Sequence, residues 1–165
     1  MAERVPRIAE VPYAVDDAVD LAHLFALELQ LVDPSQPALD CPGYRLPTDF
    51  EWEVAAWAGQ LKAEPFDVAS VAWNDQNSGK SVHPVGLKRP NPWGFRDLLG
   101  NVSEWTGDYS TGLVIDPAQG SNRLIRAGAW LSPELIVRAA YSFEGGPSAR
   151  NDALGFRFAR GQGLR

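Results

Sequence analysis

The sequence has one cysteine, two histidines and no long apolar run. Among its 165 residues only Cys41 carries a thiol, so the chain cannot form an intramolecular disulfide or a structural zinc site built on several cysteines. His23 and His83 belong to no HxxxH or HExxH pattern, which leaves transition-metal catalysis with little support. No apolar run approaches the ~20 residues that a membrane-spanning helix needs.

Positive charge is also scarce. Fifteen Lys and Arg residues against 21 Asp and Glu residues give a net charge of −6. Such a chain lacks the basic face that nucleic acids and anionic membranes require, so we expect neither as a partner. The N-terminal stretch MAERVPRIAEVPYAV has no continuous apolar core of the secretory type. We therefore expect a cytoplasmic protein, unless a phage particle or a partner carries it out of the cell.

Two segments have the pattern of helices. Residues 16–32, DDAVDLAHLFALELQLV, repeat apolar residues at helical spacing. In RLPTDFEWEVAAWAG, Thr48 and Glu51 have the spacing of a capping box, and Gly59 marks the end of the helix. The spacing predicts that one face of this helix lies in the core. Its three large apolar residues are Phe50, Val54 and Trp57.

The remainder of the chain has the pattern of strands and ordered loops. Beyond residue 60 the helical period disappears, and 15 Gly and 13 Pro residues in the whole chain favour turns. The segments LIRAGAW and LGFRFAR are predicted to be strands. There is no internal repeat and no linker. The sequence therefore predicts a single α+β domain over residues 1–165, with two helices and a small twisted antiparallel sheet.

Five segments occur in an order that resembles the formylglycine-generating-enzyme, or sulfatase-modifying-factor, family. They are DDAVDLAHLFA, GYRLPTDFEWEVAAWAG, HPVGLKRPNPWGFRDLLGNVSEWTGD, RLIRAGAW and LGFRFAR. The resemblance implies a C-type-lectin-like fold, with two helices packed on small twisted antiparallel sheets and long ordered loops. The family's usual N-terminal portion would precede residue 11. We therefore expect the sheet to be shortened on that side, or completed there by a partner chain.

The resemblance also implies a calcium site. Its ligands would be the side chains of Asp97 and Glu104 with the main-chain carbonyls of Gly100 and Val102. Calcium takes six to eight oxygen ligands, so two carboxylates and two carbonyls suit it. The alternative left open is that Asp97 and Glu104 cap turns or pair with arginine. Three aromatic residues are expected to anchor this loop in the core: Trp93, Phe95 and Trp105.

The cysteines of the enzymatic relatives are missing here. In those relatives two nearby cysteines form a copper-binding redox pair just after the RxGxW motif. The resemblance aligns the first with Ser132 and the second with Val137 or its neighbour. Without thiolates there is no soft Cu(I) site and no disulfide exchange. The resemblance therefore implies a chain without copper and without the enzymatic activity.

The stretch between RxGxW and GFR resembles the variable region of proteins diversified by retroelements. That resemblance implies a ligand-binding face, with a protein as the expected ligand, because irregular loops on a rigid scaffold suit recognition. The expected contact positions are Leu131, Ser132, Glu134, Leu135, Ile136, Ser142, Phe143, Glu144, Ser148, Asn151, Asp152 and Ala153. For Leu135 and Ile136, placement in the core stays open. Arg138 and Arg150 are expected to be buried and to satisfy loop carbonyls, and anion binding is the alternative left open for both.

Three functions remain open on this evidence. The first is a binding module that uses residues 131–153. The second is a degenerate structural or regulatory subunit that docks on a partner through its N-terminal side. The third is an active enzyme of the family, which the missing cysteine pair disfavours.

Overall fold

The computed structural model describes residues 43–60, 67–110, 115–116 and 122–161. The helix predicted over residues 16–32 and Cys41 lie outside them. The described elements are β1 (Gly43–Arg45), α1 (Asp49–Trp57), α2 (Val68–Val71), β2 (Ser103–Ser110), β3 (Ile115–Asp116), β4 (Asn122–Arg126), a 3-10 helix (Glu134–Ile136), β5 (Ser142–Gly145), β6 (Leu154–Phe156) and β7 (Ala159–Gly161). In this part of the chain no helix is both long enough and apolar enough to cross a membrane.

Helix α1 begins and ends at the residues that the sequence indicates. The Glu51 N–H donates to Thr48 Oγ1 at 3.1 Å, and the Thr48 N–H donates back to Glu51 Oε2 at 2.9 Å, which completes the capping box. Ala58 and Gly59 then take left-handed φ values of 50° and 73° and stop the helix. Gly59 also lies under an indole: a Cβ there would be 3.1 Å from the ring of Trp93.

The face that α1 buries differs from the prediction. Phe50 is 76% exposed and Val54 is 36% exposed, so the prediction that both lie in the core is wrong. The buried residues of α1 are Asp49 and Trp52, while Trp57 is half-buried against the core. Polar bonds decide the orientation, because Asp49 and Trp52 both reach buried partners on the sheet that lies behind the helix.

The main sheet has five strands and mixed pairing. Its order is β3-β2-β4-β5 with antiparallel neighbours, and β6 pairs in parallel with one end of β2. Strands β1 and β7 form a separate antiparallel pair. The α+β, C-type-lectin-like class is confirmed, but the sheet is not purely antiparallel. A parallel pair needs a long connection between its two strands, and here the chain passes through β3, β4 and β5 between β2 and β6.

Both predicted strands are interrupted. LIRAGAW leaves the extended conformation after Arg126, because Ala127 and Gly128 have φ values of 78° and 69°. LGFRFAR is divided into β6 and β7, which join different sheets. The interruptions matter because each places a motif arginine at the end of a strand, where its side chain can turn inwards.

Arg126 connects the sheet to α1. Its guanidinium is buried and donates to both oxygens of Asp49, to Glu53 Oε2 at 3.0 Å and to the Ala139 carbonyl at 2.9 Å. Burial by itself lowers the pKa of Arg126, but the hydrogen bond and the charge of Asp49 outweigh that effect and raise it. The Asp49 N–H donates in turn to the carboxylate of Asp108. Burial of Asp108 raises the pKa of that carboxyl.

We predict that Arg126→Ala lowers the free energy of unfolding by about 3–5 kcal/mol, because it leaves buried Asp49 without its cation. Urea denaturation followed by tryptophan fluorescence measures the change. The matched control is Arg150→Ala, which removes an exposed arginine and is expected to stay within about 0.5 kcal/mol of the wild type. Similar losses in the two variants would contradict the structural role of Arg126.

Candidate functional site

The GNVxEW motif is used for structure. Gly100 has φ 70°, and a Cβ on it would lie 2.2 Å from the carbonyl oxygen of Trp73, so only glycine fits. The side-chain amide of Asn101 accepts from the His83 N–H at 2.9 Å and donates to the His83 carbonyl at 3.0 Å. The Asn101 carbonyl accepts from the Trp130 N–H at 2.7 Å. This motif therefore ties the loop after α2 to the start of the proposed contact segment.

Glu104 lies at the centre of a second buried connection. Its carboxylate accepts from Trp52 Nε1 at 2.7 Å and from Arg157 Nε and Nη2 at 2.5 and 2.6 Å. Burial lowers the pKa of Arg157, and the opposing charge and hydrogen bonds of Glu104 raise it overall. Three N–H groups therefore donate to the Glu104 carboxylate, two of them to Oε2 and one to Oε1.

Calcium binding by these four positions stays a prediction, and the structure also shows the alternative arrangement for one of them. Glu104 pairs with Arg157, which is the alternative that the sequence left open, and a guanidinium next to the carboxylate opposes a cation. Asp97 Oδ2 accepts from the Gly86 N–H at 2.6 Å, while its Oδ1 is buried without a partner. Val102 is half-buried with its methyl groups against Gly155.

The aromatic residues of the calcium loop are not all anchors. Trp93 and Phe95 are exposed, so the prediction that both lie in the core is wrong, while Trp105 is half-buried in β2. Asn91, which sequence reasoning missed, shapes this loop. Its Oδ1 accepts from the Trp93 and Phe95 N–H groups at 3.1 and 3.0 Å, and its Nδ2 donates to the Ala55 carbonyl at 2.7 Å. The available signal was the Asn-Pro turn sequence itself.

Ser132 and Val137, which lie at or next to the positions aligned with the enzymatic cysteines, are both buried. Ser132 Oγ accepts from the Ala129 N–H at 2.9 Å, and the Ser132 carbonyl accepts from the Asp75 N–H at 3.1 Å. Val137 is also enclosed. The prediction that Ser132 contacts a ligand is therefore wrong, because the turn over Gly128 directs its hydroxyl inwards.

Most of the other expected contact positions are exposed. Leu131 is 53% exposed and Leu135 is 69% exposed. Ile136 and Ala153 are half-buried. The remaining exposed positions are Glu134, Ser142, Phe143, Glu144, Ser148, Asn151 and Asp152.

Nine of these positions form three groups on the fold. Glu134–Ile136 make the 3-10 helix, residues 142–144 lie on edge strand β5, and residues 151–153 form the turn before β6. On β5 the carboxylate of Glu144 accepts from Ser110 Oγ at 2.5 Å. That bond and one from Asn122 lower the pKa of the Glu144 carboxyl. The carbonyl of Asp152 accepts from Trp130 Nε1 at 3.3 Å, so the turn is attached to the motif tryptophan.

The arginines expected to be buried are exposed. Arg138 and Arg150 both face solvent, so that prediction is wrong. Among the described residues the arginines that pair with acids are instead Arg45, Arg126 and Arg157. The difference follows from the acids, because Asp49 and Glu104 lie opposite Arg126 and Arg157.

A cleft of about 880 Å³ lies beside the 3-10 helix. One wall is formed by residues 134–140, and the other walls by the end of α1, by α2 and by residues 89–99. Glu134 and Leu135 are the only expected contact positions on its walls. The sequence did not reveal the cleft, because its walls come from segments far apart in the chain.

Comparisons with known proteins agree with the fold and with the motifs. The sulfatase-modifying factor enzyme 1-like domain family matches residues 9–162. The serine/threonine-protein kinase pkn1 of Chlamydia caviae is 33% identical over 72% of this chain and 21% of its own length. The inactive C-alpha-formylglycine-generating enzyme 2 of Bos taurus is 31% identical over 73% of this chain and 45% of its own length. The chain thus spans less than half the length of these relatives.

A solved structure shares the architecture. The Treponema denticola variable protein 1 superimposes with a TM-score of 0.67 and 31% sequence identity. The alignment covers 79% of this chain and 55% of that protein.

We predict that Glu104→Gln lowers the free energy of unfolding by about 3 kcal/mol, because Arg157 loses its buried counter-charge. The loss should be equal in calcium and in a chelator, measured by urea denaturation in both conditions. Asp75→Asn, at an exposed acid, serves as the control and should change little. The opposite result would be a wild-type free energy of unfolding that rises with calcium and a loss in Glu104→Gln that is seen only in calcium. That result would show that Glu104 binds calcium.

Proposed function

The chain belongs to the sulfatase-modifying factor enzyme 1-like family, and from that membership we propose that it is a non-enzymatic binding module for a protein partner. Its contact face lies within residues 131–153. The observation that carries the proposal is the contrast between buried family motifs and an exposed segment between them. Arg126 and Arg157 are held by buried acids at the two ends, and Leu131 and Leu135 project into solvent in between.

Exposed apolar residues on a fixed frame suit protein recognition. Binding energy at protein interfaces concentrates in a few large apolar or aromatic anchors surrounded by polar contacts. Leu131, Leu135 and Phe143 supply such anchors. The exposed polar positions of the same segment are Glu134, Ser142, Glu144, Ser148, Asn151 and Asp152. The two ends of the segment are fixed by backbone hydrogen bonds and by buried polar bonds. Binding should therefore cost little conformational entropy.

Several observations support the non-enzymatic part of the proposal. Ser132 is aligned with the first enzymatic cysteine, the second falls at or next to Val137, and both of these residues are enclosed in the fold. One relative carries the name inactive C-alpha-formylglycine-generating enzyme 2, and one structural neighbour is named a variable protein. The finer form of the proposal is that a retroelement diversifies codons 131–153. Sequencing the gene from sibling cells tests it, and a uniform segment would leave binding to a fixed partner.

We predict that Leu131→Asp weakens binding to the protein partner at least about tenfold, because an exposed apolar anchor is replaced by a charge. The partner is first purified with the wild-type chain and then titrated against each variant by calorimetry. Leu87→Asp is the matched control, since Leu87 is 62% exposed but lies outside the segment. Equal affinities for the two variants would place the contact face elsewhere.

A further inference from the structure

The cleft beside the 3-10 helix has the lining of an anchoring pocket. Its walls are largely apolar and include Trp57, Phe95, Leu98, Leu135 and Val137. At about 880 Å³ it falls within the range of roughly 300–1,000 Å³ that is usual for ligand sites in proteins. Burial of an apolar side chain in such a cleft releases water from both surfaces, which favours binding.

The charges on the cleft walls favour an acidic group. Arg89 and Arg138 both line the cleft and are exposed, and neither side chain has a hydrogen bond or an ion pair with any described residue. Other arginines of the fold, such as Arg45 and Arg126, have carboxylate partners. Two unpaired guanidinium groups at a water-accessible rim are ready donors for a carboxylate.

The acidic residues of the same cleft do not cancel this preference. Asp97 is buried, its Oδ2 accepts from the Gly86 N–H, and its charge acts on Arg157 behind the wall. Glu134 is exposed on the rim and is the one acid there that a ligand would meet directly. Among the exposed lining residues two positive charges, from Arg89 and Arg138, therefore face one negative charge.

We propose that this cleft anchors a partner peptide segment in which an apolar side chain stands next to a carboxylate. The apolar side chain enters between Phe95 and Leu135, and the carboxylate binds to Arg89 and Arg138. The inference rests on the proposed function, because Leu135 belongs both to the contact segment and to the cleft wall. It extends the binding site beyond residues 131–153 and states the chemistry of the partner.

Three synthetic peptides test this inference. They share a central leucine–phenylalanine pair, have blocked ends, and differ only in the flanking residues, which are aspartate, asparagine or lysine. Isothermal calorimetry with the full chain at low salt is expected to show the aspartate peptide binding about tenfold more tightly than the asparagine peptide. The lysine peptide should bind most weakly. Arg89→Ala and Arg138→Ala should each reduce the preference for aspartate, while Glu134→Gln should increase it.

Arg150→Ala is the matched control, because Arg150 is an exposed arginine in the contact segment but does not line the cleft. It should keep the preference for aspartate. No binding of the aspartate peptide at millimolar concentration, an equal or better affinity for the lysine peptide, or an equal effect of Arg150→Ala would overturn the inference. Leu131 lies outside the cleft walls, so these results are independent of the partner's response to Leu131→Asp. Failure of the cleft and failure of the contact face can thus be told apart.

Discussion

The buried carboxylate of Glu104 is the contact on which the rest of the fold depends. It receives Trp52 from α1 and the guanidinium of Arg157 from the chain just after β6, and it belongs itself to β2. Three segments far apart in sequence are therefore joined at one acid. Removing the Glu104 carboxylate should cost more free energy of unfolding than its hydrogen bonds contribute in net terms. The reason is that each partner would be left charged or polar inside the protein without a bond.

Arg126 and Arg157 fix the two ends of the segment that we propose as the contact face. Arg126 fixes the end of β4 against α1, and Arg157 fixes the chain after β6 against β2. The segment between these two arginines is held in place by the hydrogen bond from the Trp130 N–H to the Asn101 carbonyl and by the enclosed side chain of Val137. Exposed side chains in this segment are expected to contribute little to the free energy of unfolding. They are therefore available for recognition and tolerant of substitution.

The sequence predicted what depends on local chemistry and missed what depends on distant partners. The capping box of α1 was predictable because Thr48 and Glu51 lie within one turn. The exposure of Phe50 was not, because the orientation of α1 is set by Asp49 and Arg126, which are 77 positions apart.

The candidate site divides along the same line. Exposure of Leu131 and Leu135 agrees with the loop-like pattern of the segment, whereas Ser132 was placed wrongly because its inward turn depends on the left-handed backbone of Gly128. The cleft and its unpaired Arg89 could not be foreseen. The cleft exists because residues 89–99 and 134–140 lie close together in the fold, and the sequence does not show that proximity. Family motifs predicted the frame well because buried polar partners constrain residue identity. Exposed positions carry no such constraint, and so their sequence says less about the ligand.

The central claim is that a fixed polar frame carries a substitution-tolerant recognition segment. Saturation substitution of residues 126–157, displayed on yeast and scored by protease resistance, tests it most directly, because it measures folding without knowledge of the partner. The account predicts that Leu131, Leu135 and Asp152 accept most residues, while Arg126, Val137 and Arg157 accept almost none. Equal intolerance at the exposed and the buried positions would contradict the claim, since the segment would then be part of the structural core.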